Sequence, residues 1–235
     1  MKLLGKQKAQ LTITDPPYGV SYNLKEKFVK NQINGKTKEH FDHWKAMKGD
    51  ESSKTALAAL PLIFTNLIPN GTAYITAGTN LAVDIVNWLR KNSIHYGVLM
   101  VWIKEATTIS WNRYHPQHEN IIYCGTGSSP GGKARWFGPK QESTVWNIPI
   151  DAYNHNRLHP TQKPVALYER ALVNSSAPGE IVLDPFAGSG TIAIAAEKHH
   201  RRAYMMELAP THCQTIIKRW EEYTHQKATP LHHRS

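Results

Sequence analysis

Asp15-Pro16-Pro17-Tyr18 follows directly on the β-rich run Leu11-Thr12-Ile13-Thr14. Neither proline has a backbone N–H to donate, so a strand that reaches them cannot extend its ladder. The resulting turn holds one carboxylate, several backbone carbonyls and one aromatic ring. Acceptors beside a flat stacking surface suit a planar amine that donates two hydrogens, such as the exocyclic NH2 of adenine or cytosine. A second stretch, Asp184-Pro185-Phe186-Ala187-Gly188-Ser189-Gly190-Thr191, leaves a predicted strand at 180–184 and opens a predicted helix. Gly188 and Gly190 allow a tight turn and close approach of backbone to a ligand at a helix N-terminus. The stretch is neither the dinucleotide fingerprint nor a P-loop, because no Gly-Lys-Ser/Thr follows. Glu207 ends the next predicted strand, where a carboxylate can grip a ribose diol. A nucleoside without a pyrophosphate is therefore the expected guest. Either stretch alone also reads as a plain structural turn; Glu207 at the right distance is what favours a ligand for the second.

The elements that must position these residues follow from periodicity. Residues 55–68 carry apolar residues at helical spacing and end at Pro69-Asn70-Gly71; a buried strand is expected over 72–77 and a helix over 81–90. Strands over 96–103 and 121–124 come next, then a helix over 165–175 and a strand over 180–184. A helix over 191–198, a strand over 202–207 and a helix over 211–223 close the pattern. Strands alternating with helices predict an α/β fold with a doubly wound, mostly parallel sheet in a single domain covering 1–235. Three regions break the pattern. Residues 24–54 hold eight lysines against five acidic residues and read as a long loop insertion. Residues 125–150 interleave Gly, Ser and Pro with basic and aromatic side chains, and read as a small irregular insert rather than core. Residues 155–164 form an irregular connector. No internal repeat is present, and the tail beyond about residue 226 is expected to fray.

A formal charge of +10 and a pI near 9.5 point to a polyanionic partner. Cys124 and Cys213 have no metal-ligand spacing and read as buried thiols in a reducing compartment. The cluster His115-Pro116-Gln117-His118-Glu119 lacks the order of a zinc-binding HExxH, so no metal is expected. There is no signal-peptide core at the N-terminus and no run that approaches a membrane span. A soluble cytoplasmic protein is expected.

Taken together, Asp-Pro-Pro-Tyr, then His159-Pro160-Thr161-Gln162-Lys163-Pro164, then Leu183 to Thr191, then Tyr204-Met205-Met206-Glu207-Leu208 resemble the amino-group DNA methyltransferases that use S-adenosylmethionine. With the catalytic motif ahead of the cofactor motif, the order resembles the circularly permuted beta class. The closing stretch 204–222 most resembles phage and bacterial methylase domains found fused to ParB-like domains. The resemblance implies a permuted Rossmann-like class I methyltransferase fold, with 151–225 as its cofactor-binding half. It implies catalytic roles for Asp15, Pro16, Pro17 and Tyr18. It implies cofactor contacts from Asp15, His159, Thr161, Gln162, Lys163, Asp184, Pro185, Phe186, Gly188, Ser189, Gly190, Thr191 and Glu207. If Asp15 and the Pro16 carbonyl each accept one N–H, an aromatic amine is pulled toward tetrahedral geometry and its lone pair is aimed at the sulfonium methyl. Tyr18 would stack on a base flipped out of double-stranded DNA. Lys25, Lys27, Lys36, Lys38, Arg113, Tyr114, Lys133, Arg135, Trp136 and Lys140 are the expected DNA contacts, with 125–150 as target-recognition insert and Tyr22 and Trp111 as further pocket aromatics.

Two features depart from the resemblance. Relatives carry a strand ending in Gly-Asp ahead of the catalytic motif, whose acidic side chain meets the cofactor's adenine; here only residues 1–10 precede the strand, without an acidic residue. Another segment, a weaker cofactor site or a partner chain is the expected consequence. The recognition segment is short, which leaves specificity relaxed or shared within a homodimer. Opening on Asp favours adenine N6-methylation over cytosine N4-methylation, whose enzymes more often open on Ser. Relatives with Asn-Pro-Pro-Tyr modify glutamine, so Asp15 argues against an amide substrate. A catalytically weak nucleic-acid-binding scaffold is the reading from another class.

Overall fold

The computed structural model describes residues 2–18, 53–107, 113–127, 135–149 and 162–231. Among them, seven segments pair into one sheet: β1 (Ala9–Thr14), β2 (Leu67–Ala77), β3 (His95–Ile103), β4 (His118–Gly125), β5 (Val145–Asn147), β6 (Ile181–Asp184) and β7 (Arg202–Met205). Five helices accompany them: α1 (Lys54–Thr65), α2 (Thr79–Lys91), α3 (Val165–Ser175), α4 (Thr191–Lys198) and α5 (Pro210–Thr224). The strand order is β5-β3-β4-β2-β1-β6-β7. Only β4 among these strands runs against its neighbours; every other pairing is parallel.

Alternation along the strands sorts the core into two layers, as a pleated sheet covered on both faces requires. Ala73, Ile75 and Ala77 of β2 and Ile181 and Leu183 of β6 pack with α1 and α2. Tyr74, Ile121 and Val182 face the other way, onto Leu167, Tyr168 and Leu172 of α3 and Ile192 and Ala195 of α4. Helix α5 buries no residue fully and lies against α4, where the Trp220 indole N–H donates to Glu197 Oε2 at 3.0 Å. The chain winds outward from β1 through β2 to β5, then returns to place β6 on the other flank of β1. The switch in winding direction therefore lies between β1 and β6, and ligands of such sheets sit beyond the carboxyl ends of the strands at that point.

Two expectations are corrected. Pro69-Asn70-Gly71 does not separate a helix from a strand: α1 stops at Thr65, and β2 already begins at Leu67. The three residues sit inside β2 as a bulge, because Ala9 pairs with Leu67 while Leu11 pairs with Thr72. Asn70 takes up the left-handed kink with φ 60°. Residues 125–150 are likewise not all insert. Val145–Asn147 form the edge strand against β3, and Trp146 is 1% exposed. The indole N–H of Trp102 donates to the Ile148 carbonyl at 2.7 Å, and the Arg170 guanidinium lies 4.9 Å from the Trp146 ring centre. A three-residue strand has no periodicity to read, and only its pairing with β3 identifies it.

Trp146→Ala is expected to cost about 3–5 kcal/mol in chemical denaturation, as for other large core aromatics. A loss under about 1 kcal/mol would mean that the β5 edge is not part of the folding unit.

Candidate functional site

Because six strands point one way and β4 points the other, one edge of the sheet collects the carboxyl ends of β1, β2, β3, β6 and β7 and the start of β4. Both motifs meet there. Strand β1 ends at Thr14, the last residue paired with β2, and Asp15 leads into the prolines. Strand β6 ends at Asp184, and the Thr14 hydroxyl donates to Asp184 Oδ1 at 2.7 Å across 170 residues of sequence. The two turns are thus joined at the switch point.

Around Asp15 the side chains form a compact charged cluster. Oδ1 accepts from the Tyr18 hydroxyl at 2.8 Å and the Thr76 hydroxyl at 2.5 Å; Oδ2 accepts from Lys163 Nζ at 2.6 Å. Lys163 Nζ also lies 3.0 Å from Glu119 Oε2, which accepts from the Tyr18 hydroxyl at 2.8 Å. Lys104 Nζ closes the cluster 2.5 Å from Glu119 Oε1. The Tyr18 ring packs beside Gly78, where an added Cβ would come 3.4 Å from Cδ2. Burial would raise the Glu119 pKa, but the ammonium groups of Lys163 and Lys104 reverse the effect and lower it to about 2. For Lys163, burial acts to lower the pKa and the carboxylates of Asp15 and Glu119 overcome it, so the ammonium is held charged. Burial, then Asp15 and Glu119, push the Tyr18 hydroxyl well up, which keeps it a donor.

The glycine turn is built by backbone. Gly188 and Gly190 have φ 53° and 75°, a region L side chains avoid. A Cβ at Gly190 would also come 2.7 Å from Ile216 Cγ1 of α5. Glu207 Oε2 accepts the Gly188 N–H at 2.9 Å and Oε1 the Ala209 N–H at 2.8 Å. Each oxygen keeps a lone pair for a further donor. The Thr191 hydroxyl donates to the Lys163 carbonyl at 3.2 Å, tying the turn to the segment whose ammonium grips Asp15. Two buried side-chain oxygens here, Asp184 Oδ2 and Gln162 Oε1, have no hydrogen-bond partner among the described residues. Burial pushes the Asp184 carboxyl up to about 7, against the Thr14 hydroxyl and the Phe186 N–H, with Asp15 and Glu207 adding to the rise. Buried oxygens without a protein partner fit a ligand that brings polar groups of its own.

The expected site residues divide into three sets. Asp15, Pro16, Pro17, Tyr18, Gln162, Lys163, Asp184, Pro185, Phe186, Gly188, Ser189, Gly190, Thr191 and Glu207 all sit at this edge. Arg113 and Tyr114, the latter 91% exposed, belong to the connection between β3 and β4, at the same edge. Arg135 does not: it pairs with Glu180, just ahead of β6, at the opposite end of the sheet. Trp136 follows it, edge-on to Tyr123 with its indole N–H on the Pro139 carbonyl, and Lys140 is exposed nearby in sequence. The alternation of basic and aromatic residues predicts DNA contacts for these three. The structure places Arg135 against Glu180 and Trp136 against Tyr123, and the next residue reaches α3, where the Phe137 N–H meets the Asn174 carbonyl. Tyr22, Lys25, Lys27, Lys36, Lys38, Trp111, Lys133, His159 and Thr161 lie outside the described residues.

Sequence reasoning misses Glu119, Lys104, Thr76 and Thr14 as site residues, and considers Glu119 only as a metal ligand. The available signal is weak: a carboxylate one residue ahead of Asn120 and the apolar run Ile121-Ile122-Tyr123-Cys124, and a lysine just past the apolar β3. Among the described residues no group of three metal-ligating side chains comes together, and no helix is long and apolar enough to cross a membrane.

The raised Asp184 pKa carries a sign. Between pH about 4 and 7 the unfolded chain has released this proton and the folded chain retains it. The contribution of Asp184 to stability therefore falls with rising pH across that window, by on the order of 4 kcal/mol, and is level above it. Asp184→Asn is expected to flatten this slope in urea denaturation between pH 4 and 8; equal slopes in both proteins would refute the assignment.

Comparison with known proteins agrees with this arrangement. A family model described as DNA methylase matches residues 9–219. The type II methyltransferase M.HpaI of Haemophilus parainfluenzae is 29% identical over 231 residues, covering 86% of this chain and 65% of that protein. The DNA adenine methyltransferase YhdJ of Escherichia coli K12 is 37% identical over 97 residues, covering 39% of this chain and 32% of that protein. The chain thus spans about two thirds of one of these relatives and a third of the other. The crystal structure of an M1.HpyAVI–SAM complex superposes with a TM-score of 0.61 at 26% identity, over 91% of this chain and 90% of that one. With an Asp-Pro-Pro-Tyr turn joined to a glycine cradle at the switch point of a class I methyltransferase sheet, and a family model matched over 9–219, the chain belongs to the DNA methylase family.

Proposed function

We propose that the protein transfers a methyl group from S-adenosylmethionine to the exocyclic N6 amine of an adenine flipped out of double-stranded DNA. The observation that carries this reading is the junction of Asp15 with the glycine cradle through Thr14 and Asp184. It brings an amine-acceptor turn and a nucleoside cradle to one point. When bound, S-adenosylmethionine supplies an electrophilic sulfonium methyl. Gln162, Asp184, Phe186, Gly188, Gly190, Thr191 and Glu207 would hold it. The orphaned oxygens of Gln162 and Asp184 suit its amino-acid end, and the Glu207 carboxylate suits its ribose hydroxyls.

The chain's own residues do the rest. Asp15 and the Pro16 carbonyl accept the two N–H groups of the target amine and turn its lone pair out of the ring plane. Tyr18, its hydroxyl fixed by two carboxylates, offers the base a ring of set orientation. Stacking of this kind is worth roughly 1–3 kcal/mol per base and offsets part of the few kcal/mol needed for flipping. Alignment and electrostatics supply the acceleration without a covalent enzyme intermediate. For DNA contacts, Arg113 and Tyr114 on the β3–β4 connection share the edge with Asp15, which makes that connection the favoured recognition surface. Arg135 and Trp136 at the far end are not part of it.

Adenine is preferred because the motif opens on Asp and because YhdJ is an adenine methyltransferase. Cytosine presents the same pair of donors, and the family name covers both N6 and N4 enzymes. Incubation with labelled S-adenosylmethionine and unmethylated duplex DNA, followed by nucleoside analysis, is expected to yield N6-methyladenine. Asp15→Ala should lower the rate by about 10²–10³-fold, as loss of a positioned hydrogen-bond partner does elsewhere. N4-methylcytosine would overturn the base assignment alone. DNA binding without any transfer would leave a scaffold as the function.

A further inference from the structure

Asp15 has one acceptor position left in this arrangement, on an oxygen that an ammonium already grips. Its Oδ1 already accepts two hydroxyls, and its Oδ2 is taken by Lys163 Nζ at 2.6 Å. An ammonium is a nitrogen donor of nearly the same reach as an exocyclic amine, so Lys163 competes with the target amine for Oδ2. It cannot simply leave. The side chain is 8% exposed, and a buried ammonium without a counter-ion costs several kcal/mol.

Glu119 removes that obstacle. It is the second residue of β4, the reversed strand, so its carboxylate reaches the same end of the sheet as the end of β1. Oε2 lies 3.0 Å from Lys163 Nζ and accepts the Tyr18 hydroxyl, while Oε1 is held by Lys104 at 2.5 Å. Lys104 fixes the carboxylate, and the carboxylate offers Lys163 a second place to bond.

We propose that Glu119 is a positioning residue that takes over the Lys163 ammonium when the target amine docks on Asp15. Lys163 then acts as an internal stand-in, satisfying Asp15 until a base arrives and withdrawing to Glu119 when it does. The inference rests on the methyl-transfer reading above and concerns the acceptor side of the same site. Since the Lys163 carbonyl accepts from Thr191 at the cradle, the exchange moves a side chain whose backbone is already anchored.

A double-mutant cycle tests it, with S-adenosylmethionine affinity and thermal stability measured in each protein. Glu119→Gln keeps an acceptor for Tyr18 and removes the charge that receives Lys163. It is expected to lower kcat at least about tenfold while the cofactor Kd stays within about twofold of wild type. In a Lys163→Met background the same substitution should change kcat by less than about twofold, because its effect passes through the ammonium. In a Tyr18→Phe background the tenfold loss should persist. A loss undiminished by Lys163→Met, or one abolished by Tyr18→Phe, would overturn the proposal in favour of a role in fixing the tyrosine. If Glu119→Gln is not recovered folded, Glu119→Asp takes its place, since the shorter side chain draws the carboxylate back from Lys163; the same losses are expected, and the same results would overturn the proposal. Wild-type transfer beside an unaffected Glu119→Gln would refute this role alone; an inactive wild type would refute the methyl-transfer reading and this role with it.

Discussion

A lysine ammonium taken out of water dictates much of the arrangement at the carboxyl edge of the sheet. Lys163 is buried, and its charge is tolerable only because two carboxylates from different strands reach it. Asp15 arrives from the end of β1 and Glu119 from the start of β4. Glu119 in turn requires Lys104 at the end of β3, and Asp15 is steadied by Thr76 near the end of β2. Four neighbouring strands are thereby committed to one register at this edge. The arrangement holds two positive and two negative charges in one small volume, so each charge is compensated locally.

The topology explains why such a cluster can exist. In an all-parallel sheet the edge beyond the strand ends receives only C-terminal residues. Here β4 is reversed and lies between β3 and β2, so its N-terminal residues join that edge. The winding switch between β1 and β6 adds the second requirement, a crevice into which a ligand can enter. The Thr14 to Asp184 hydrogen bond bridges that crevice at its floor. An acceptor turn on one side and a glycine cradle on the other then share a wall, and chemistry between two ligands needs both held within bonding reach of one another.

Away from the cluster the charged pairs are used differently. Arg135 pairs with Glu180, and Arg170 pairs with Glu142 while its guanidinium lies over Trp146. These ion pairs, together with the Trp102 indole on the Ile148 carbonyl, fasten irregular chain to the β3 edge and to α3. Basic and aromatic residues interleaved in sequence are the same signal that marks a nucleic-acid surface. Arg135 and Trp136 carry that signal, and the structure places them at the end of the sheet away from Asp15, with partners inside the fold.

Local chemistry wrote much of this protein legibly. Two prolines stop β1 wherever the strand is placed, and two closely spaced glycines mark a tight turn that Glu207 on the next strand turns into a candidate cradle. Helices α2 to α5 and, β5 apart, the strands between them follow from apolar spacing, and the paired motifs with Glu207 at the end of the next strand indicate a nucleoside ligand. What could not be read were features whose meaning depends on a distant partner. The bulge at Pro69-Asn70-Gly71 looks like a turn until Ala9 pairs with Leu67, and β5 is too short to show a period. Glu119 in β4 carries no local signal of its purpose, because a carboxylate is identical in sequence whether it faces water or an ammonium. Backbone preferences act over a few residues and are written in residue type. Charge compensation and strand direction act between segments far apart in the chain, up to 148 residues for Lys163 and Asp15, and only the folded sheet decided which lysine each carboxylate would meet.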